Sequence, residues 1–377
     1  MASEIKLQLT PLSQWGFGFS DTEPLMIAGP CSAETEEQVM ETCQQLAQHG
    51  GVHILRAGIW KPRTRPNCFE GIGSIGLQWL KQAGKATGLP VTVEVANVKH
   101  VYEALRMGVD ILWIGARTTV NPFSIQEIAD ALQGVDIPVM IKNPVNPDLS
   151  LWMGAFERMN KVGITKLAAI HRGFSSHEKS KYRNKPQWEI PIELMRRMPN
   201  LPIICDPSHI CGRRDTLQEV AQKAMDLNFN GIMLESHINP ARALSDAEQQ
   251  VTPENYARLI DSLVLRKTTS TDAVFLHNLE DLRDMIDDVD KELLAILTKR
   301  MHIAEQIGRY KLENNITILQ PNRWDEIVRE RSQAGIKEGL TEEFMFDLYN
   351  VVHKESIRHQ TSIMNTSNQA HKIEVKG

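Results

Sequence analysis

The sequence predicts a (β/α)8 barrel followed by a small all-α domain, and two features of its 377 residues indicate this. In the first two-thirds of the chain, eight short apolar runs alternate with longer amphipathic stretches. The runs are continuous rather than alternating, which is typical of parallel strands buried on both faces. After residue 265 an apolar repeat of three or four residues replaces them. An open doubly wound sheet also alternates strands and helices, but eight units is the number that closes a barrel.

The predicted strands are rich in β-branched residues and are bounded by Gly, Pro or Asn. They cover residues 25–29, 53–58, 90–95, 111–116, 138–143, 166–173, 202–209 and 231–237. Amphipathic helices are predicted between them. The first of these places Val39, Cys43 and Leu46 on one stripe and ends at Gly50. Asp215 is a candidate N-cap for the helix after the seventh strand.

The sequence pattern of the C-terminal third predicts three helices. Apolar residues recur from Leu279 to Tyr310 without a Pro or Gly before Gly308, so one helix is expected over 275–313. At ~1.5 Å per residue it would be roughly 55 Å long, and a helix of that length needs a partner. Shorter helices are expected over 321–334 and 341–362. Three such helices make a poor monomer core, so we expect a homodimer. The predicted domains are a barrel over 1–265, a linker over 266–274, the all-α domain over 275–363 and a flexible tail over 364–377.

Composition excludes several classes of protein. The net charge of −5 and the pI of about 6.2 do not indicate general affinity for nucleic acids. No apolar run approaches the ~18 residues that span a membrane, and no signal peptide is recognisable at the N-terminus. The five cysteines are odd in number, dispersed and without a CxxC pair. This usage indicates free thiols in a cytoplasmic protein.

Cations collect where the predicted strands end, which in a (β/α)8 barrel is the catalytic face. The set comprises Arg56, Lys61, Arg63, Arg65, Arg117, Lys142 and Arg172. Each one alone would be a solvated rim residue, but so many at one face of an acidic protein favour an anion site. Arg side chains suit phosphate and carboxylate groups. The sequence therefore predicts small, multiply anionic substrates, with two phosphates between them.

Metal-ligating residues follow three neighbouring strands. Cys31, His209 and Glu235 end strands one, seven and eight, and Asp246 lies just beyond strand eight. Together they predict a divalent-metal site, whose oxygen ligands favour Mn²⁺, Fe²⁺ or Co²⁺ over structural zinc. Other interpretations stay open from position alone. Cys31 could be a small buried residue or a nucleophile, His209 a core histidine bonded to backbone, and Asp246 a helix cap.

Short motifs in the barrel region carry a resemblance to a known enzyme family. They are "AGPCS", "LRAGIWKPRT", "TEV", "IGART", "IKNP", "HRG", "DPSH" and "ESH". In this order, over residues 25 to about 250, they resemble 3-deoxy-D-arabino-heptulosonate 7-phosphate (DAHP) synthases of type Iβ. A sister family, 3-deoxy-manno-octulosonate 8-phosphate synthase, usually reads "KANRS" where this chain reads "KPRT". That difference favours erythrose 4-phosphate as the aldose substrate.

The resemblance implies roles for individual residues of the barrel. The implied metal ligands are Cys31, His209, Glu235 and Asp246, with Mn²⁺ the first choice and Fe²⁺, Co²⁺ or Zn²⁺ as alternatives. The implied phosphoenolpyruvate contacts are Arg56, Lys61, Arg117, Lys142 and Arg172. The implied erythrose 4-phosphate contacts are Lys61, Pro62, Arg63 and Thr64. Lys61 would lie between both substrates as a proton donor or fixed charge.

The helical region resembles chorismate mutases of the all-α, intertwined-dimer class. The matching stretches are "LEDLRDMIDDVDKELLAILTKRMHIAEQIGRYK", "NRWDEIV" and "HKESIRHQ". The resemblance implies substrate contacts at Arg283, Arg300, Lys311, Arg323, Ser356 and Gln360. Lys311 and Gln360 would stabilise charge on the ether oxygen. On a helix, Arg300 and Lys311 lie about 20° apart, whereas Arg283 is rotated by roughly 80–100°. That fits an Arg supplied by the partner chain.

Two positions depart from the mutase pattern. Trp324 stands where a Glu is common, and Gln320 stands where an Asp is common. These departures predict reduced mutase turnover or affinity. The two resemblances together imply a bifunctional enzyme that makes DAHP and rearranges chorismate to prephenate, with feedback inhibition through the mutase domain. The alternative is a synthase whose helical domain only regulates and dimerises.

Overall fold

The computed structural model describes residues 5–61, 69–177, 180–267, 269–319 and 321–374, and within helices it does not describe the side chains of 321–323, 325 and 366–374. The chain divides into two compact units, Met1–Thr268 and Thr269–Gly377. This division falls within the segment predicted as a linker. Each unit has its own architecture.

The first unit is a closed barrel of eight parallel strands in sequence order. The strands are β1 Leu25–Gly29, β2 Ile54–Ala57, β3 Val91–Val95, β4 Ile111–Ile114, β5 Val139–Lys142, β6 Leu167–His171, β7 Ile203–Cys205 and β8 Gly231–Glu235. Pairing of β1 with β8, from Leu25 opposite Gly231 to Gly29 opposite Glu235, closes the sheet. The predicted barrel is therefore confirmed, and the open sheet is excluded.

Ten helices of this unit lie between or after the strands over the described residues. They are α1 Glu36–His49, α2 Ile75–Thr87, α3 Val98–Arg106, α4 Ala116–Thr119, α5 Pro122–Ala131, α6 Leu149–Lys161, α7 Glu189–Arg197, α8 Pro207–Cys211, α9 Leu217–Asp226 and α10 Pro253–Asp261. Thr35 caps α1 by accepting a hydrogen bond from the amide of Gln38. The predicted cap Asp215 is replaced by Thr216, because the Asp215 carboxylate binds Arg213 instead.

Strand register brings β7, β8 and β1 together at the catalytic end. Gly29 has φ +149°, and a Cβ there would lie 2.1 Å from the carbonyl oxygen of Arg56 on β2. Any side chain at this position would push the two strands apart. The glycine therefore lets the chain turn at the end of β1 directly into Cys31, next to Glu235 on β8.

The N-terminal segment contributes to the interior of the barrel. Leu12, Trp15 and Phe19 are buried together with inward-facing strand residues such as Leu25 and Ile111. Trp15 is only 2% exposed, and its indole N–H donates a hydrogen bond to the Thr10 carbonyl at 3.1 Å. Aromatic burial of this kind is a large contribution to stability.

Replacement of Trp15 by alanine is expected to lower the free energy of unfolding of the barrel by about 3–5 kcal/mol, because it leaves a cavity and removes a buried ring. Urea unfolding followed by circular dichroism measures the change. Phe123→Ala is the control, since that ring is 81% exposed. Equal unfolding midpoints for the two variants would contradict this role.

The second unit consists of three helices, α11 Ala273–Glu313, α12 Pro321–Lys337 and α13 Glu342–Glu374. The long helix is confirmed, but two helix ends differ from the prediction. Gly335, predicted to follow the last turn, lies within α12, and a Cβ there would clash with the Met345 sulfur, so this glycine permits close packing against α13. α13 continues into the predicted tail, since no glycine or proline interrupts 341–374.

The two halves of α11 differ in exposure. In the second half, Ala304 and Gly308 are buried against α13, which approaches through Val352 and Gln360. Between Leu282 and Ile296, seven apolar side chains are between 50 and 64% exposed. These are Leu282, Met285, Ile286, Val289, Leu293, Leu294 and Ile296. Over the described residues, α11 and the other helices are too short or too polar to cross a lipid bilayer.

Candidate active sites

Three of the four predicted metal ligands form one cluster at the catalytic end of the barrel. The Cys31 sulfur and one carboxylate oxygen each from Glu235 and Asp246 lie within 4.8 Å of one another. The Cys31 sulfur lies 3.3 Å from Asp246 Oδ2. Cys31 and Glu235 are fully buried, so this is not an exposed acidic patch.

The fourth predicted ligand, His209, lies beside this cluster on α8. Its Nδ1 is 2.8 Å from Asp206 Oδ2, and its Nε2 is 3.7 Å from Glu235 Oε1. The ring therefore contacts two carboxylates rather than a backbone carbonyl. Burial lowers the pKa of His209, which favours the neutral imidazole that metals require.

The electrostatics of the cluster suit a cation. Burial, with the nearby Glu235 charge, raises the pKa of the Cys31 thiol to about 12. The pKa values of Glu235 and Asp246 are lowered despite their burial, because Arg56 and Lys61 lie near Glu235 and Arg183 hydrogen-bonds to Asp246. A thiol, an imidazole and two carboxylates in a dry site match the donor set of a divalent transition metal. Binding of such an ion would displace the thiol proton.

Asp246 does not cap a helix. Its backbone has φ +47°, and its side chain binds Arg183 and Cys31. The next α-helix, α10, is capped by Thr252, whose hydroxyl accepts from the amide of Asn255. The alternative interpretation of Asp246 as a cap is therefore wrong.

Two predicted substrate-binding cations are already paired with buried acids. Arg56 is 1% exposed and donates to Glu235 Oε1 at 3.1 Å and to the Cys31 carbonyl at 3.2 Å. Lys142 donates to Asp206 Oδ2 at 2.8 Å. Both cations also face the ring of Trp113, at 4.8 and 5.7 Å. The protein thus supplies carboxylates that offset the desolvation cost of these charges.

Two further predicted cations, Lys61 and Arg172, lie at the same end of the barrel. Lys61 Nζ lies 2.9 Å from the Cys31 sulfur. Burial, together with the charges of Arg183 and Arg117, lowers the pKa of Arg172 to about 10. Its backbone amide donates to Asn143 Oδ1 at 2.7 Å, which holds the end of β6. Pro62, Arg63, Thr64 and Arg65 lie outside the described residues.

Sequence reasoning missed two residues that contact the cluster. Arg183, in the loop after β6, donates to Asp246 Oδ1 at 2.8 Å and to Gln249 Oε1 at 3.0 Å. Gln249 in turn donates to Glu235 Oε2 at 2.6 Å. Neither residue ends a strand or belongs to a spaced motif, so the sequence offers no signal for them.

In the helical unit, α11 and α13 bring several predicted mutase residues together. Arg300 donates to the Ser356 hydroxyl, and burial lowers the pKa of both Arg300 and Lys311. Gln360 is buried one turn beyond Ser356, and its Oε1 accepts no hydrogen bond over the part of the chain that the structure describes. Such an unmatched acceptor costs free energy unless a donor binds there.

One predicted mutase residue, Arg283, lies outside this set of buried and half-buried side chains. Arg283 is exposed on the first half of α11. The Arg323 side chain and Gln320 lie outside the described residues. Trp324 stacks on His353 with ring centroids 4.1 Å apart. Burial lowers the pKa of His353, and the charges of Arg300 and Lys311 also lower it.

Two family models match this chain, one for each unit. The model described as "DAHP synthetase I family" matches residues 16–270, and "Chorismate mutase type II" matches residues 282–361. Among curated proteins, phospho-2-dehydro-3-deoxyheptonate aldolase of Thermotoga maritima is 33% identical over 238 residues, covering 63% of this chain and 68% of the relative. The 2-dehydro-3-deoxyphosphooctonate aldolase of Variovorax paradoxus is 24% identical, covering 70% of this chain and 97% of the relative.

Solved structures agree with these sequence matches. The crystal structure of the DAHP synthase from Thermotoga maritima superposes with a TM-score of 0.58 at 32% identity, covering 64% of this chain and 68% of that one. A truncated form of a Thermotoga maritima DAHP synthase gives a TM-score of 0.56 at 29% identity, covering 64% of this chain and 85% of that one. The resemblances inferred from the motifs are confirmed in both units. The chain belongs to the DAHP synthetase I family and continues into a chorismate mutase type II domain, which makes it a bifunctional enzyme of the shikimate pathway.

Proposed function

We propose that the barrel condenses phosphoenolpyruvate with erythrose 4-phosphate at a divalent metal held by Cys31, His209, Glu235 and Asp246. The observation that carries this proposal is the buried cluster of a thiol and two carboxylates beside an imidazole, ringed by cations. Mn²⁺ suits the two carboxylates best, and Fe²⁺, Co²⁺ or Zn²⁺ would also accept the sulfur and nitrogen. The bound ion supplies Lewis-acid polarisation of the aldehyde oxygen.

The side chains of the barrel would hold and protonate the substrates. Arg117, Lys142 and Arg172 would bind the phosphate and carboxylate of phosphoenolpyruvate. Its methylene carbon forms the new C–C bond to the aldehyde carbon, one water adds to the former enol carbon, and phosphate leaves by C–O cleavage. Lys61 would donate the proton to the new hydroxyl, since its ammonium lies beside the metal ligands. Pro62, Arg63 and Thr64 would bind erythrose 4-phosphate.

In the helical unit, we propose that cations bind the two carboxylates of chorismate. Arg300, Arg323 and the partner's Arg283 would supply these charges, and Ser356 would orient Arg300. Lys311 and Gln360 would stabilise charge on the ether oxygen as the rearrangement proceeds. The buried acceptor of Gln360 supports a role for its amide, which can turn its donor towards that oxygen.

We propose that a second copy of this chain covers the exposed apolar face of α11. That face runs from Leu282 to Ile296, and Arg283 lies on the same half of the helix. An intertwined homodimer would bury it and bring Arg283 to the other protomer's pocket. Free, buried thiols at Cys31 and Cys43 support a reducing, cytoplasmic setting.

The mutase pocket would also sense product and inhibit the synthase. Trp324, stacked on His353, puts an aromatic ring where a carboxylate is common, which favours the second candidate, a helical domain that regulates without turnover. A coupled assay of both activities on the full chain, with and without prephenate, tests the proposal. We expect DAHP formation, chorismate consumption, and synthase inhibition by prephenate. Inhibition without chorismate turnover would leave only the regulatory role, and no DAHP formation would refute the whole proposal.

A further inference from the structure

We propose that Arg183 and Gln249 are positioning residues that fix the two carboxylate ligands, Asp246 and Glu235, in their metal-binding orientations. This inference rests on the proposed metal site. It assigns a role to two side chains that themselves contribute no ligand atom to that site. Both belong to loops beyond the strand ends, one after β6 and the other after β8.

Arg183 holds Asp246 by the oxygen that faces away from the cluster. Its guanidinium donates to Oδ1 at 2.8 Å, while Oδ2 lies 3.3 Å from the Cys31 sulfur. Asp246 adopts φ +47°, a conformation that costs free energy for a residue with a side chain. The ion pair offsets that cost and keeps one oxygen turned towards the ligand cluster.

Gln249 holds Glu235 by one carboxylate oxygen in a similar way. Its side-chain amide donates to Oε2 at 2.6 Å, so the other oxygen, Oε1, is the one that faces Arg56 and His209. Gln249 is 1% exposed, so water does not compete for this bond. The carboxylate thereby loses its freedom to rotate before a metal arrives.

Only one orientation of the Gln249 side-chain amide satisfies both of its hydrogen-bond partners. Arg183 can only donate hydrogen bonds, and ionised Glu235 can only accept them. The amide oxygen must therefore face Arg183, at 3.0 Å, and its nitrogen must face Glu235. The Arg183 guanidinium thus orients Asp246 directly and Glu235 through Gln249. A single series of hydrogen bonds fixes the orientation of both carboxylates.

The loop that carries Asp246 and Gln249 is itself tied to a further predicted ligand, Cys31. The backbone N–H of Gln249 donates to the backbone carbonyl of Asp246 at 3.2 Å. The next side chain, Gln250, accepts from the backbone N–H of Cys31 at 2.9 Å and donates to the Ser245 carbonyl at 2.8 Å. Loss of the Arg183–Gln249 contacts should therefore loosen the ligands without unfolding the loop.

The test measures Mn²⁺ binding to the chelator-treated full chain by isothermal titration calorimetry. Gln249→Met, which keeps the volume, and Arg183→Gln, at a half-exposed side chain, should each weaken Mn²⁺ binding about 10–100-fold. Arg213→Ala is the matched control, because this exposed arginine of the next loop pairs with Asp215 instead. Saturating Mn²⁺ should restore kcat of both variants to nearly the wild-type value.

The outcomes distinguish failure of the positioning role from failure of the proposed metal site. Wild-type affinity in both variants, or a loss of kcat that saturating Mn²⁺ does not restore, would overturn the positioning role while leaving the metal site intact. A wild-type chain that binds no Mn²⁺ would refute the metal site itself. Thermal unfolding of metal-free Arg183→Gln should match the wild type, because the Arg183 side chain is half-exposed, and a large loss of stability in this variant would assign these residues a structural role instead.

Discussion

Replacement of Cys31 by serine is expected to lower DAHP formation about a thousandfold. Lewis-acid stabilisation contributes several kcal/mol to such a reaction, and each ~1.4 kcal/mol is a factor of ten in rate. A hydroxyl is a far weaker ligand than a thiolate at this buried position, so the ion would be lost or displaced. Initial rates with phosphoenolpyruvate and erythrose 4-phosphate, together with metal content after dialysis, measure the effect.

Cys43→Ala is the matched control for this variant, because Cys43 is an equally buried free thiol on α1 outside the cluster. Its synthase activity should stay near that of the wild type. Full metal-dependent activity in Cys31→Ser would remove Cys31 from the ligand set. The cluster would then have to be interpreted as a structural network of thiol and carboxylates.

Replacement of Arg300 by alanine is expected to lower chorismate turnover about 100- to 1000-fold. Removal of one preorganised donor to a charged group in a sheltered pocket has effects of this size. Arg300 is partly buried between α11 and α13 and donates to Ser356, so the variant also leaves that hydroxyl without its donor. The disappearance of chorismate, followed by absorbance, measures the change.

Arg309→Ala on the same helix is the control, because that side chain is exposed and lies nearly opposite Lys311. Its chorismate turnover should be unchanged. DAHP formation without effector should also be unchanged in Arg300→Ala, whereas inhibition by prephenate should be lost. Unaltered chorismate turnover in this variant would place the mutase pocket elsewhere.

The barrel and its catalytic face were predictable from the sequence because both depend on local pattern. Apolar runs define the strands, and the residue after each run must lie at the same end of a closed parallel barrel. Cys31 and Glu235 follow from this rule, since β1 and β8 are neighbours. His209 was predicted to end the seventh strand, but β7 ends at Cys205 and His209 lies on the short helix α8 that follows it.

Contacts between loops were not predictable in this way. Arg183 reaches Asp246 across 63 residues of sequence, and Gln249 reaches Glu235 from a turn that no periodicity marks. The pairing of Arg56 with Glu235 was missed for a similar reason, because position alone placed both residues at the face without showing that one neutralises the other.

Some helix ends in the second unit were also not predictable from the local sequence. Glycine often follows the end of a helix, yet Gly335 lies within α12, where Met345 of α13 occupies the space that a side chain would need. Trp324 could be recognised as an unusual residue for a mutase, but its stacking on His353 depends on α13. In both cases the structure depends on a contact with a neighbouring helix, which the local sequence does not reveal.

The most direct test of the proposed synthase mechanism is DAHP formation by the purified full chain before and after dialysis against EDTA, with Mn²⁺ then restored. We predict that chelation abolishes DAHP formation, that Mn²⁺ restores it, and that chorismate turnover is unaffected throughout. Undiminished DAHP formation in a metal-free, chelated sample would contradict the account.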